Sequence, residues 1–327
     1  MFKHTLCPAG CDDFQNPHHH RGTDPQRHSK QRRFSPPCLG GENRTASHFP
    51  ERAPAVSKVV VFALATALLY LLGLSPALAA PQAATRDPQA LSLISSSLQA
   101  LTGTTTVTDV ILQTTATYVA RSDQETGTAT LTASGNQLSL VQLNLSGGTR
   151  QTIRNGPAGT WTGPDGTVHA MMTNNCWTDA SWFFPILTLE AAATNPQVSL
   201  SYLGPDTSKG TTLLHVRVAS VLPEPDATVT ALITSLSTMD IYFDPQSFLP
   251  MVLDFSVQPD TGVAVGIPIE IRFGNFQSMS GVLVPFQIQK YLQNSLLLDF
   301  VVTSATINSG VPTSAFTLPP TTTGGAQ

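Results

Sequence analysis

Beyond residue 79 the chain has little of what catalysis and disulfide-built folds rely on. Of the 4 cysteines and 8 histidines in 327 residues, only Cys176, His169 and His215 fall there. One cysteine excludes an intrachain disulfide in that part, and beside Trp177 it reads as a small buried apolar residue. Charged residues are sparse, at 12% of the sequence, and after Ala79 there are 8 basic against 16 acidic side chains. That balance argues against a nucleic-acid or anionic-membrane partner. No Gly-x-Ser-x-Gly elbow, His-Glu-x-x-His pair or phosphate-cradling glycine loop occurs. His215, in Leu214-His-Val-Arg-Val, falls on the polar face of an alternating strand and reads as solvated. Asp240, Asp244 and Asp254 are spaced by strands alone, which does not define an acid/base pair, and Asp165-Gly166 reads as hairpin chemistry rather than a calcium loop. The chain is therefore read as a non-enzyme, with no cofactor and no metal.

What is present is a segment with the makings of an address. Val59 to Leu72 is an apolar run of 14 residues that follows Lys58 and passes through Gly73-Leu-Ser-Pro76 into Ala77-Leu-Ala79. A charged flank, a short apolar core, a breaker and small residues before the cut make a secretory signal over 58–79, cleaved after Ala79. A spanning helix needs about 20 apolar residues, a length reached here only through Pro76, so an uncleaved anchor is the alternative. The expected location is outside the cytoplasm, in the periplasm or cell envelope, or anchored in the inner membrane through residues 59–79.

Residues 1–57 differ in kind from the rest. The first 55 hold 6 of the 8 His, 3 of the 4 Cys and 8 of the 17 Lys plus Arg, without helical or alternating apolar periodicity. Such a segment cannot bury enough surface to fold. It is either disordered or upstream DNA read as protein, since a GTG start at Val56 would give an ordinary signal peptide. Cys7, Cys11, His18, His19, His20, His28 and Cys38 lack zinc-finger spacing and apolar residues around them, so no metal site is expected.

Residues 80–327 read as a single β-rich domain with a flexible tail from about 317. Asp87 as N-cap, Pro88 at the first helical position, Leu91, Ile94, Leu98 and Leu101 at helical spacing, and Gly103 as a stop predict one amphipathic helix. Thereafter the period becomes two. Ala129, Leu131 and Ala133 alternate with threonines, and Val141, Leu143 and Leu145 alternate with polar residues, as half-buried antiparallel strands do. Ser134-Gly-Asn, Ser146-Gly-Gly, Asn155-Gly-Pro and Pro164-Asp-Gly mark hairpin turns, and a meander is the economical topology. Asp226 to Leu236 reads as a short helix capped by Asp226. Met251, Leu253, Phe255 and Val257, and Val284, Phe286 and Ile288, each predict one dry strand face. Pro268 and Pro285 belong at strand starts, edges or bends.

Between them lies the densest aromatic cluster, Trp177, Trp182, Phe183 and Phe184, followed by Ile186 and Leu187. Two readings apply to these six residues. They fill the core, or they line or plug a cavity for an apolar ligand, since aromatic rings offer area without needing polar partners.

A resemblance emerges in the C-terminal part. Met239-Asp-Ile-Tyr-Phe-Asp-Pro-Gln-Ser-Phe-Leu-Pro returns into Met251-Val-Leu-Asp-Phe. Then come Ile267-Pro-Ile-Glu-Ile-Arg-Phe, Gly281-Val-Leu-Val-Pro285-Phe286, and Ala305-Thr-Ile-Asn-Ser-Gly with a following Phe316. Over Met239 to Phe316 this order resembles the periplasmic lipoprotein-carrier superfamily of LolA-like and LolB-like proteins and their mycobacterial lipoprotein relatives. The resemblance implies an α+β fold in which a strongly curved antiparallel sheet, a half-barrel, wraps one or two helices. It also implies a hydrophobic ligand, a lipid or a lipoprotein acyl chain, held under the sheet. No cysteine follows the signal for lipid attachment, and no ligand residue carries over from the family. The alternative is a non-catalytic structural or protein-interaction module of the bacterial envelope, with an envelope protein as partner.

Overall fold

The computed structural model describes residues 84–322, apart from 121, 223, 225 and 260–264. The extension, the apolar run at Val59 and the cysteine and histidine cluster before it lie outside the described residues. Helix α1 (Pro88–Thr102) begins as its sequence dictates: the Asp87 carboxylate accepts the N–H groups of Gln89 and Ala90 at 2.7 and 3.3 Å. It ends at Gly103, whose φ of 60° suits a residue without a Cβ. Ala90, Ile94, Ser97 and Leu101 form its buried stripe, while Leu91 and Leu98 flank the core half-buried.

Thirteen strands follow. They are β1 (Asp109–Ala120), β2 (Asp123–Ser134), β3 (Leu138–Leu145), β4 (Gly148–Asn155), β5 (Ala158–Thr162), β6 (Val168–Ala170), β7 (Val198–Asp206), β8 (Leu213–Ser220), β9 (Met239–Phe243), β10 (Pro250–Val257), β11 (Ile267–Met279), β12 (Val282–Leu292) and β13 (Ser295–Ile307). They make one antiparallel sheet in the order β6-β5-β4-β3-β2-β1-β13-β12-β11-β10-β9-β8-β7. Twelve pairings join chain neighbours or, in one case, the far ends of the strand run: β1 meets β13, with Val110 opposite Ile307 and Tyr118 opposite Leu298. Two meanders are thus sewn along one seam, and the sheet's free edges, β6 and β7, come from the middle of the chain.

The seam is pinned at one end by side chains. Asn308, at φ 56°, accepts the Thr108 N–H at 2.8 Å and donates to the Thr106 carbonyl at 2.8 Å. Asp109 accepts the Ser309 N–H, the Ser309 hydroxyl and the Gly310 N–H. The chain then turns back over β3 and β4, where Phe316 is fully buried.

Each free edge is met by a short segment of the chain. Thr85 to Asp87 runs beside β7, with Leu200 N–H donating to Thr85 O and Asp87 N–H to Leu200 O. At β6, Thr322 N–H donates to Val168 O. Unpaired ladder groups at an edge invite other chains, and these segments shorten the free edge.

The expected alternation holds at Ala129, Leu131 and Ala133 and at Val141, Leu143 and Leu145, all buried. It breaks at Met251. The β9–β10 register slips between Pro250 and Val252, so Met251 is the extra residue of a bulge and packs with Leu213, Tyr242 and Val252 rather than with Leu253 and Phe255. Pro285 stands where β12 pairs only with β11, because the β12–β13 ladder begins at Gln287. A residue without an N–H costs nothing on that side.

Helix α2 (Pro185–Thr194) packs against α1 and β7. One side chain gathers carbonyls at the helix's end and just beyond: the Arg86 guanidinium donates to Ala192 O and Ala193 O of the helix and to Asn195 O and Val198 O after it, at 2.6–3.0 Å. Both helices join the main core with the inner residues of the sheet. A third helix, α3 (Ala227–Leu236), is capped by Asp226 and lies against β8, with Val229 and Leu232 exposed. The fold is the expected α+β half-barrel around two helices, with α3 added outside that core.

Candidate functional site

The sheet curves far enough to build a chamber. Ser139, Val141 and Leu143 of β3 and Phe255, Val257 and Ile269 of β10 and β11 line one cavity. In the strand order β3 and β10 are six pairings apart, about 29 Å if the sheet were flat. Their meeting across one cavity requires the sheet to bend round it. The chamber is closed by the segment that crosses from β6 to β7. Asn175 in that crossing donates to Gln258 O at 2.9 Å and accepts the Gln258 N–H at 2.6 Å, fastening the crossing to the end of β10.

The cavity has a volume of about 100 Å³ and is walled also by Trp161, Met171, Met172, Trp182 and Leu298. Met172 is 41% exposed and marks the rim. Of the six aromatic and aliphatic residues singled out from sequence, Trp182 is on this wall. Phe183, Phe184, Ile186 and Leu187 are buried in the main core, and Trp177 borders a separate depression with Asn136, Asp179 and Asn195.

Three basic side chains share the wall with these apolar groups, and none was singled out from sequence. Arg150 and Arg154 point inward from β4, opposite Leu143 and Ser139 of β3. Arg150 makes a two-pronged pair with Glu125 at 2.7 and 2.8 Å and lies over the Tyr118 ring. Arg154 donates to the carbonyls of Asn175, Cys176 and Thr178 at 3.0, 2.6 and 3.0 Å, so it anchors the crossing segment. Burial pulls its pKa down. The Nε of each arginine is buried without a hydrogen-bond partner.

The third, Lys290 on β12, faces inward with Ile271 and Leu298 as its cross-strand neighbours. Its ammonium sits 4.6 Å from the centre of the Trp182 ring. Burial pushes its pKa down to about 8, because an apolar surround disfavours the charged form. Near Arg154, the interior carboxyl of Asp179 accepts from Asn136 at 2.9 Å. Burial outweighs that hydrogen bond and pushes its pKa up to about 6.

The opposite face of the sheet carries a charge network. His215 hydrogen-bonds Asp240 at 2.8 Å and stacks on Tyr242 at 4.3 Å, and Arg217 pairs with the same Asp240. Lys209 bridges Asp254 and Glu270 at 2.5 and 2.7 Å. His215 is only 8% exposed, so the expectation of a solvated histidine fails: long neighbours on adjacent strands cover it. Among the described residues no cluster of metal-ligating side chains occurs, and no helix is long and apolar enough to cross a membrane.

No family model and no curated protein matches the chain. Among solved structures, it is similar to a LolA superfamily protein from Nitrosomonas europaea, with 11% identity, 70% of this chain and 97% of that one covered, and a TM-score of 0.43. A DUF1329 family protein from Desulfovibrio piger aligns at 9% identity over 71% of this chain and 98% of its own, TM-score 0.42. Lipoprotein LppX from Mycobacterium tuberculosis aligns at 14% identity over 69% of this chain and 98% of its own, TM-score 0.24.

Proposed function

We propose that the protein is an exported cell-envelope protein that binds a hydrophobic ligand, a lipid or a lipoprotein acyl chain, in the cavity beneath its curved sheet. The observation that carries this reading is the wall itself. Apolar side chains from strands six pairings apart converge with Trp182 on one cavity that the rest of the core leaves unfilled. Apolar wall area left facing an unfilled space is unfavourable, and an apolar guest laid against it removes that area from water. At about 100 Å³ it is smaller than the ~300–1,000 Å³ pockets that enclose whole drug-sized ligands. The guest therefore enters by one end and continues past Met171 and Met172.

Delipidated protein titrated with a fluorescent fatty-acid analogue is expected to bind saturably, and Trp182→Ala to weaken that binding at least about tenfold, as loss of a buried aromatic wall does. Absence of saturable binding would leave the second reading, an envelope interaction module. The exposed Val229 and Leu232 on α3 favour that reading.

A further inference from the structure

Lys290 stands apart from the other described cations. Arg86 and Arg154 donate to backbone carbonyls, Arg150 pairs with Glu125, Lys209 with Asp254 and Glu270, Arg217 with Asp240, and Arg272 with Glu270. Lys290 has neither a hydrogen-bond acceptor nor a counter-ion among the described residues; its one polar contact is the face of Trp182. It is half-buried and its stem runs inward, so that the ammonium ends at the wall of the cavity and not on the outer surface, where lysine stems usually end. An ammonium turned into an apolar cavity without an acceptor is a poor structural choice, since an aliphatic residue would fill the same place without desolvating a charge.

The surroundings fix the sign of what is missing. From β11 and β13 the inner-face neighbours are Ile271 and Leu298, from the crossing segment Trp182, and from β4 across the cavity Arg150 and Arg154. Of the carboxylates close to these arginines, Glu125 is paired with Arg150 and Asp179 accepts from Asn136. The cavity wall thus combines aliphatic and aromatic area with a surplus of positive charge, in a chain that is acidic overall.

Resting on the cavity-binding reading above, we infer that the ligand is an anionic amphiphile, whose single negatively charged headgroup is met by the Lys290 ammonium while its hydrocarbon lies against Val141, Leu143, Phe255 and Val257. A carboxylate or a phosphate monoester supplies the acceptor oxygens that Lys290 lacks, and the ligand brings the charge the fold omits.

The test compares three probes with one 16-carbon chain: the fatty acid, the fatty alcohol and the alkyl phosphate, each titrated by calorimetry against delipidated wild-type protein and Lys290→Met. Wild-type protein is expected to bind an anionic probe at least about tenfold more tightly than the alcohol, the amount one charge-assisted hydrogen bond supplies. In Lys290→Met that ratio falls to about 1, and Lys290→Arg restores part of it. A preference shown by the acid assigns a fatty-acid-like ligand, and one confined to the phosphate assigns a phospholipid-like headgroup. Equal affinity of all three probes for wild-type protein would overturn the inference while leaving a neutral hydrophobe as ligand. Failure of all three to bind would overturn the cavity-binding reading with it. Should Lys290→Met not fold, the wild-type ratio and Lys290→Gln decide.

Discussion

Replacing Lys290 by Met should make the empty protein more stable, and by an amount that depends on pH. The ordinary lysine pKa of 10.5 falls to about 8 in the folded chain, while the unfolded chain keeps the ordinary value. At about 1.4 kcal/mol per pH unit of separation, the desolvated ammonium costs the native state up to about 3 kcal/mol wherever both states are protonated, below pH 8. Between pH 8 and 10.5 the unfolded state binds more protons than the native state, so stability must rise with pH there. Between pH 7.5 and 9.5 the gain works out at about 2 kcal/mol. Lys290→Met keeps the aliphatic stem, loses the contact with Trp182, worth about 0.5–2 kcal/mol, and should be more stable than wild type by about 1–3 kcal/mol at pH 7.5. Urea unfolding of both proteins at the two pH values measures this, and groups titrating elsewhere cancel in the difference. If the stability gap does not narrow as pH rises, Lys290 is not a desolvated, unpaired ammonium, and the charge argument for the cavity falls with it.

Other substitutions probe the frame around the cavity. Arg86→Ala strips the acceptors at the end of α2 of their donor and should cost about 2–3 kcal/mol in urea unfolding, with Arg86→Lys recovering only part. Asp179, with its pKa raised to about 6, destabilises the native state when ionised. Stability contributed by this group should therefore increase as pH falls from 6 toward 3.8, and Asp179→Asn should remove that increase. Cys176 is buried and its thiol pKa is pushed up by burial, so a thiol reagent should leave it unmodified in native protein and label it fully in urea. Asn175→Ala removes both hydrogen bonds to Gln258 and should increase amide exchange across residues 171–184 before it lowers global stability.

Much of the frame is legible in the chain. Asp87, Pro88 and Gly103 carry local information sufficient to place α1, and each hairpin turn fixes the register of the strands beside it. The wall charges were within reach by the same logic. Val284, Phe286 and Ile288 define the dry face of β12, and two residues on, the same parity reaches Lys290. Likewise the short turn at Ser146-Gly147 sets Arg150 opposite Leu143. A charge in an alternating strand reads by habit as solvent-facing, and that habit conceals it. Met251 escaped the alternation because a bulge depends on how β9 and β10 meet, which no local pattern encodes. The same holds for His215, whose cover comes from neighbouring strands.

The seam between β1 and β13 bears on how the molecule is made. Every other strand pairing closes between chain neighbours, but the seam joins residues about 200 positions apart, as Thr108 and Asn308 are. Closing such a span costs about 5 kcal/mol of chain entropy before any contact repays it. The last strand of this sheet to leave the ribosome is the one its first strand requires. Two half-sheets must therefore wait with their concave apolar faces open until β13 arrives, and the same surface that later encloses a guest is in that interval the one most exposed to misassociation.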